Sequence, residues 1–247
     1  MHLLEGEKLT INFGGLIAVN NVDFYVDEKE ILGLIGPNGA GKTTLFNLIS
    51  ATFKPKSGTI RFKGKDITGM STYKVCRLGI ARTFQTVKTF SNMSVLSNVR
   101  LAALFGAPVK LSEAQATKDA LELLEFVGLS KNVNSPARDL TLGNQKRLEV
   151  ARALATRPEL LLLDELMAGL THTEVAEAME DILQIRSEKG ITIIMIEHVM
   201  KAIMNVCDRI IVLNYGKKIA EGTPAEIVNS PTVIEVYLGE QSNAGNK

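Results

Sequence analysis

The chain has 247 residues, with 28 Lys plus Arg against 27 Asp plus Glu, which leaves a formal net charge of +1. This balance argues against a basic surface for general nucleic-acid binding, and a hydrophobic content of 45% excludes disorder as the dominant state. No apolar run approaches the ~20 residues that cross a bilayer, and residues 1–5 lack a secretory pattern. Cys76 and Cys207 are too few for a disulfide framework. The composition therefore predicts one compact domain in the cytoplasm.

The first sixty residues predict mainly strands. Alternating apolar and polar residues at positions 22–26 indicate a half-buried strand. The continuous apolar run at residues 31–35 indicates a strand that is buried on both faces. A glycine-rich loop follows, then a helix to about Ser50, and residues 60–66 predict a hairpin.

The middle of the chain changes to helical periodicity, from about residue 91 to residue 156. Ser112 and Gln115 have the spacing of a capping box, in which each side chain satisfies a backbone N–H group at the start of a helix. We expect this segment to form a helical subdomain inserted into a sheet domain made of about residues 1–90 and 157–240.

Strands and helices alternate again after residue 157. The apolar runs at 160–163, 191–196 and 210–213 predict strands, and an amphipathic helix is expected near residues 175–183. Thr223 followed by proline predicts a capped helix start. Buried strands that alternate with helices indicate an α/β fold with a mostly parallel sheet. Residues 241–247 are small and polar and predict a flexible tail.

A complete phosphate-binding motif, G-x-x-x-x-G-K-[ST], occupies residues 36–43, after a buried strand and at the start of a helix. The glycines let successive N–H groups face phosphate oxygens, and the helix N-terminus adds a positive dipole end. The lysine charge suits the β- and γ-phosphates, and the threonine hydroxyl suits Mg²⁺. The predicted nucleotide-binding residues are Gly36, Pro37, Asn38, Gly39, Ala40, Gly41, Lys42, Thr43 and Thr44.

Two carboxylates follow the apolar strand at residues 160–163. Asp164 and Glu165 are expected at the carboxyl end of this buried strand, where sites form in α/β proteins. Asp164 is a candidate Mg²⁺ ligand, and Glu165 is a candidate for polarising the attacking water.

Residues 140–154 read LTLGNQKRLEVARAL. This segment resembles the signature of ATP-binding cassette (ABC) ATPases, L-S-G-G-Q followed by a basic amphipathic helix. The phosphate loop, the signature and the acidic strand occur in the family's order, and the resemblance covers about residues 3–240. It implies a P-loop NTPase with a RecA-like core, an antiparallel β subdomain and an inserted helical subdomain. It also implies that residues 1–240 form one domain that binds ATP with Mg²⁺ and hydrolyses it to ADP and phosphate.

The resemblance assigns further roles, position by position. Gln85 matches a glutamine that reaches Mg²⁺ and water, His198 matches a histidine that contacts the γ-phosphate, and Phe13 matches an aromatic residue that stacks on adenine. Residues 168–171 match a loop that communicates across a dimer of cassettes. In that dimer the signature contacts the ATP of the partner, which implicates Thr141, Leu142, Gly143, Asn144 and Gln145.

The chain departs from the family pattern at four positions. Thr141, Leu142 and Asn144 replace Ser, Gly and Gln of the signature, and Leu166 stands where a proline usually follows the catalytic glutamate. Both carboxylates are retained. We therefore expect hydrolysis at this chain's own phosphate loop and pairing with a non-identical cassette, although a homodimer is also open.

Short segments at residues 13–15, 79–85, 93–95 and 236–240 are similar to ATP-binding subunits of branched-chain amino acid importers. This resemblance implies a peripheral protein on the cytoplasmic face of the cell membrane. Its implied partners are a second cassette, two integral permeases and a periplasmic or extracellular solute-binding protein, with no nucleic acid. An apolar patch on residues 87–104 is expected to dock a permease.

Other functions stay open at this point. The same short segments are also compatible with the ATP-binding subunit of an importer for urea or other amides, or with that of a lipopolysaccharide exporter. A degenerate, regulatory cassette would explain the altered signature. A cassette ATPase that acts in translation or DNA repair without a permease is disfavoured, because the helical segment shows no sustained heptads.

Overall fold

The computed structural model describes residues 2–244, and the side chains of residues 2–237. The chain forms two compact units. The first takes in the chain up to Ser71 and again from Thr192 onward, and the second is Thr72–Ile191. The predicted helical segment, residues 91–156, falls entirely in the second unit.

Eight of the strands of the described residues lie in the first unit, and the other two lie in the second. In chain order they are β1 (Leu4–Phe13), β2 (Leu16–Val26), β3 (Ile31–Ile35), β4 (Ser57–Phe62), β5 (Lys65–Asp66), β6 (Ile80–Arg82), β7 (Leu160–Asp164), β8 (Thr192–Ile196), β9 (Arg209–Asn214) and β10 (Lys217–Gly222).

Helices dominate the second unit and also occur in the first. The helices of both units, within the described residues and in chain order, are α1 (Lys42–Ile49), α2 (Thr72–Leu78), α3 (Val95–Gly106), α4 (Glu113–Phe126), α5 (Leu142–Ala155), α6 (His172–Lys189), α7 (Met200–Val206), α8 (Pro224–Val228) and α9 (Pro231–Ala244).

The first unit contains an antiparallel sheet and a mostly parallel group of strands. The antiparallel order is β2-β1-β4-β5, and the other strands follow the order β10-β9-β3-β8. β3 is parallel to both β8 and β9, so these three strands end at the same edge. Every residue of β3 and β8 is buried, as the continuous apolar runs predicted.

Gly33, at the centre of β3, packs closely against a neighbouring side chain. A Cβ atom on Gly33 would lie 2.9 Å from the sulfur of Cys207. Burial raises the pKa of the Cys207 thiol to about 12, so this cysteine stays protonated and acts as a small apolar side chain.

The second unit holds β6 and β7 as a parallel pair, with all five residues of β7 buried. Helices α3, α4 and α5 contact one another, and they occupy the segment for which helices were predicted. The antiparallel sheet and the parallel strands confirm the predicted α/β class. Strands β6 and β10 and helices α2, α7 and α9 were not predicted.

The helix caps confirm one sequence prediction and correct another. Thr223 and Glu226 form a reciprocal capping box with proline at the first turn of α8. At α4 the Ser112 hydroxyl accepts the N–H of Gln115, but the Gln115 amide donates to Asp119 Oδ1 at 2.6 Å. The predicted capping box at Ser112 is therefore wrong in its second half, because a carboxylate one turn along binds the amide instead.

The last helix reaches into the segment that was predicted as a tail. α9 continues to Ala244, four residues into the segment 241–247 that was predicted as a tail. Residues 245–247 lie outside the described residues. Among the described residues, no helix combines the length and the apolar character that a bilayer crossing needs.

Candidate active site

The phosphate loop connects β3 to α1 and depends on three glycines with positive φ. The φ angles are +146° at Gly36, +78° at Gly39 and +102° at Gly41. A Cβ atom on Gly36 would lie 2.0 Å from the carbonyl oxygen of Leu213, and one on Gly41 would lie 2.3 Å from that of Ala18. Only glycine fits at these two positions, because the backbone is both left-handed and closely packed.

Two hydrogen bonds outside the motif hold the loop in place. The N–H of Asn20 donates to the carbonyl of Gly216 at 2.8 Å, and the N–H of Gly216 donates to the carbonyl of Ala40 at 2.9 Å. Strand β2, the turn between β9 and β10, and the phosphate loop therefore form one connected structure. The motif alone gave no sign of this support.

Lys42 is buried at the start of α1, and its ammonium donates to the carbonyls of Gly36 at 2.6 Å and Pro37 at 2.8 Å. Thr43 follows it and is exposed, while Thr44 is partly buried. Among the described residues, no side chain caps the N-terminus of α1. The loop thus presents a cation and helix N–H groups together, which suits a phosphate.

Two other predicted site residues, His198 and Phe13, also lie in the first unit. His198 is exposed and follows β8, whose residue Ile196 pairs with Leu34 just before the loop. Phe13 ends β1 with 46% of its surface exposed, and its ring packs edge-on to Phe53 with the centroids 5.3 Å apart. An exposed aromatic ring at this position is available for stacking.

In the second unit, a buried ion pair joins the ends of β6 and β7. Arg82 Nη2 lies 2.8 Å from Asp164 Oδ2, and the two side chains are only 7% and 1% exposed. The backbone N–H of Asp164 donates to the hydroxyl of Thr83 at 3.2 Å. The candidate metal ligand is therefore fixed at both its backbone and its carboxylate.

Glu165 is held at two ends. Its carboxylate Oε2 accepts a hydrogen bond from Gln85 Nε2 at 2.8 Å, and its carbonyl accepts one from Lys146 Nζ at 3.0 Å. Its φ of +53° is in the left-handed region, which costs a residue with a side chain about 1–3 kcal/mol. Backbone strain of this kind persists where surrounding contacts enforce it, and it is concentrated at functional sites.

The signature segment forms the start of α5. The Thr141 hydroxyl accepts the N–H of Asn144 as the helix cap, and the Gln145 amide donates to the carbonyl of Leu140 at 3.0 Å. A Cβ atom on Gly143 would lie 2.4 Å from a carboxylate oxygen of Glu174, so a larger residue here would require the Glu174 side chain to move. Leu142 is exposed.

Leu166, which stands in place of the usual proline, is buried. Together with Leu170 and residues of α5 and α6 it lines a cavity of about 130 Å³. The segment after Glu165 is therefore anchored by apolar packing rather than by a rigid ring.

The structure brings the predicted residues together in groups. The phosphate loop and His198 share an edge of the strands in the first unit, and Gln85, Asp164 and Glu165 are joined in the second. Sequence reasoning missed the supporting residues Arg82, Thr83, Lys146 and Gly216. A signal existed for Lys146, since it is three residues from Gly143 and four from Val150 on a buried helix face.

The oxygen donors of Thr43, Gln85 and Asp164 are of the type that Mg²⁺ prefers, namely hydroxyl, amide and carboxylate. The described residues contain no cluster of three or more His, Cys, Asp or Glu side chains that would hold a metal without help from a substrate. Within each unit taken by itself, these donors are of a type that fits a metal bound together with phosphate oxygens.

Comparisons with known proteins identify the family. Residues 19–168 match the family model described as ABC transporter, and residues 217–242 match the model described as branched-chain amino acid ATP-binding cassette transporter. The chain belongs to the ABC transporter ATPase family. This finding confirms the fold class and the ATPase activity that the sequence motifs indicated.

Individual proteins of the family match this chain over nearly its full length. The chain is 43% identical to the high-affinity branched-chain amino acid transport ATP-binding protein BraF of Pseudomonas aeruginosa, over 96% of this chain and 98% of the relative. It is 42% identical to LivG of Escherichia coli K12, which carries the same description, with the same coverage.

Solved ABC cassettes share the fold. The ADP conformation of MJ1267, an ATP-binding cassette of an ABC transporter, is 32% identical and superimposes with a TM-score of 0.87 over 97% of this chain and 99% of that chain. The dimeric bacterial cassette MJ0796 is 25% identical, with a TM-score of 0.81 over 90% of this chain and 98% of that chain.

The buried ion pair between Arg82 and Asp164 leads to a prediction about the stability of this ABC cassette. Arg82→Met leaves the Asp164 carboxylate buried without its cation, so we expect the free energy of unfolding at pH 7 to fall by about 3 kcal/mol or more. Urea denaturation measures this loss. Arg61→Met is the control, because Arg61 pairs with Glu7 at the surface, where the expected loss is below about 1 kcal/mol. Equal, small losses in both variants would contradict the importance of the buried pair.

Proposed function

We propose that this chain is the ATP-hydrolysing subunit of an importer for branched-chain amino acids. The observation that carries the proposal is the similarity of nearly the whole chain, at 42–43% identity, to two proteins described as branched-chain amino acid transport ATP-binding proteins. The match of residues 217–242 to a model of the same class supports it independently of the catalytic motifs.

The proposed chemistry assigns each side chain one task. Lys42 and the N–H groups of the phosphate loop bind the β- and γ-phosphates of ATP. Thr43, Gln85 and Asp164 would hold Mg²⁺, which supplies positive charge against the phosphate oxygens. Glu165 orients the attacking water and accepts its proton, His198 contacts the γ-phosphate, and Phe13 stacks on adenine.

The proposed assembly places this chain on the cytoplasmic face of a membrane. Its partners are a second, non-identical cassette, two integral permeases and a solute-binding protein on the opposite side. The signature of each cassette contacts the ATP bound by the other. Thr141 and Leu142 are exposed at the start of α5, where a partner's phosphate can reach the helix N-terminus.

A regulatory cassette is the alternative that the altered signature favours, because Leu142 places a bulky side chain where the family has glycine. The contacts of the candidate catalytic residues favour an active cassette instead. Asp164 keeps its ion pair and Glu165 keeps two hydrogen bonds, which a site released from selection for hydrolysis does not need.

Hydrolysis by this chain is tested by Glu165→Gln in the assembled transporter. Without the carboxylate the water is not activated, so steady-state ATP turnover should fall on the order of 100-fold while ATP binding is retained. Glu188→Gln, an exposed change on α6, is the matched control and should keep full turnover. Wild-type turnover no higher than that of Glu165→Gln would overturn the assignment of this chain as the active cassette.

Docking to the permeases is tested on the patch predicted at residues 87–104. Phe90 is half exposed there, with Arg152 stacked on its ring, so the charge of Phe90→Glu can be compensated by Arg152 within the fold. We expect Phe90→Glu to reduce the fraction of this chain that sediments with permease-containing membranes, with ATP binding unchanged. The control Leu121→Glu changes an exposed leucine on α4 and should sediment like wild type. Full membrane retention of Phe90→Glu would contradict docking at this patch.

A further inference from the structure

Lys146 is a buried cation in the middle of the second unit. It lies on α5 with only 5% of its surface exposed, and its ammonium donates to the carbonyl oxygen of Glu165 at 3.0 Å. A lysine is rarely buried unless its charge meets a partner that repays the loss of water. Here one such partner is the backbone of the residue proposed to activate water.

We propose that Lys146 is a positioning residue that ties the backbone of Glu165 to the signature helix, so that hydrolysis in this chain depends on what its signature contacts. This inference rests on the proposed role of Glu165 and deepens it. It adds a route by which one cassette senses the nucleotide held by the other.

The backbone of Glu165 is strained. Its φ of +53° has to be enforced by contacts, and a change in φ would turn the Glu165 carbonyl relative to the preceding peptide. The N–H of Ala168 also approaches this carbonyl, at 3.3 Å, within the same turn. Lys146 belongs to a different element, α5, so its hydrogen bond links the conformation of Glu165 to the position of α5.

Helix α5 carries both the signature residue Thr141, at its start, and Lys146. Lys146 is five residues after Thr141, the cap of the helix, which corresponds to about 7.5 Å along the axis. The hydrogen-bonded helix between these two residues is stiff on this scale. A ligand that pulls on the exposed helix start therefore shifts the ammonium of Lys146 as well.

Helix α5 also contacts Lys88, in the loop that carries Gln85. The Glu149 carboxylate accepts the N–H of Lys88 at 3.1 Å, and the Arg152 guanidinium donates to the carbonyl of Lys88. Gln85, three residues earlier, donates to the Glu165 carboxylate. The signature helix thus contacts Glu165 directly through Lys146 and contacts the loop that carries Gln85 through Glu149 and Arg152.

The charges around Lys146 are consistent with a fixed position. Burial raises the pKa of the Glu149 carboxyl, and the Lys146 ammonium on the same helix acts in the opposite direction by attracting the Glu149 carboxylate. Lys146 also lines the cavity beside Leu166, together with Gly143 and Glu174. Lys146 therefore borders the same cavity as the signature glycine and the segment that follows the catalytic strand.

The test compares steady-state ATP turnover in the assembled transporter for Lys146→Met, Lys146→Arg and the exposed control Lys118→Met. Methionine keeps the length and the apolar stem but cannot donate, so kcat should fall on the order of 10- to 100-fold with KM for ATP within about threefold of wild type. Arginine keeps a cationic donor and should restore at least part of kcat. Lys118→Met should match wild type.

A double-mutant cycle separates positioning from a general structural role. Thr141→Ala weakens the signature's contact, and if Lys146 relays that contact, adding Thr141→Ala to Lys146→Met should cost less than the product of the two single effects. Multiplied effects on kcat would overturn the relay. If Lys146→Met does not fold, the cycle is run with Lys146→Gln, which keeps an N–H donor without the charge.

The outcomes also separate this inference from the proposed function. Wild-type kcat equal to that of Glu165→Gln would refute the catalytic role of Glu165 and the relay with it. Wild-type kcat well above that of Glu165→Gln, together with Lys146→Met equal to wild type, would refute the relay alone. A fall in kcat with no rescue by arginine and a matching rise in KM would show a structural role and would also refute the relay.

Discussion

Charged groups at the ends of two buried, paired strands are the constraint on which the geometry of the candidate active site depends. β7 places Asp164 at the end of an apolar strand, where an isolated carboxylate would be costly in free energy. Arg82, at the end of the neighbouring β6, supplies the opposite charge at 2.8 Å. A buried pair of this type contributes little net stability compared with apolar packing. Its presence is better explained by the need to hold a carboxylate in one position at this edge of the strands.

Glu165, the next residue, is also held in position by its neighbours. The backbone at Glu165 is left-handed, and it stays so because Lys146 and the following turn bind its carbonyl while Gln85 binds its carboxylate. In the first unit the phosphate loop is preorganised in a comparable way, since the carbonyls of Ala18 and Leu213 leave room only for glycine. In each unit, then, packing against neighbouring backbone or side chains sets the site before any substrate binds.

Much of this could be predicted from the sequence, for clear physical reasons. The strands at β3 and β7 are continuous apolar runs, and the phosphate loop is a complete motif in its required context. β6 was missed because three residues are too few to show periodicity. Lys146 was missed because a lysine in a helix is usually solvated, and Arg82 because its partner lies 82 positions away in the chain. The capping box at Ser112 failed because the competing carboxylate of Asp119 lies outside the local pattern.

The uptake of cargo by the assembled transporter is the most direct measurement of whether this chain drives import. Proteoliposomes with the two permeases and both cassettes would enclose ATP and Mg²⁺, with the solute-binding protein and radiolabelled leucine outside. If this chain is the motor subunit, the initial rate of leucine uptake should be ATP-dependent and should fall on the order of 100-fold with Glu165→Gln. An uptake rate that is the same for wild type and Glu165→Gln would contradict that conclusion.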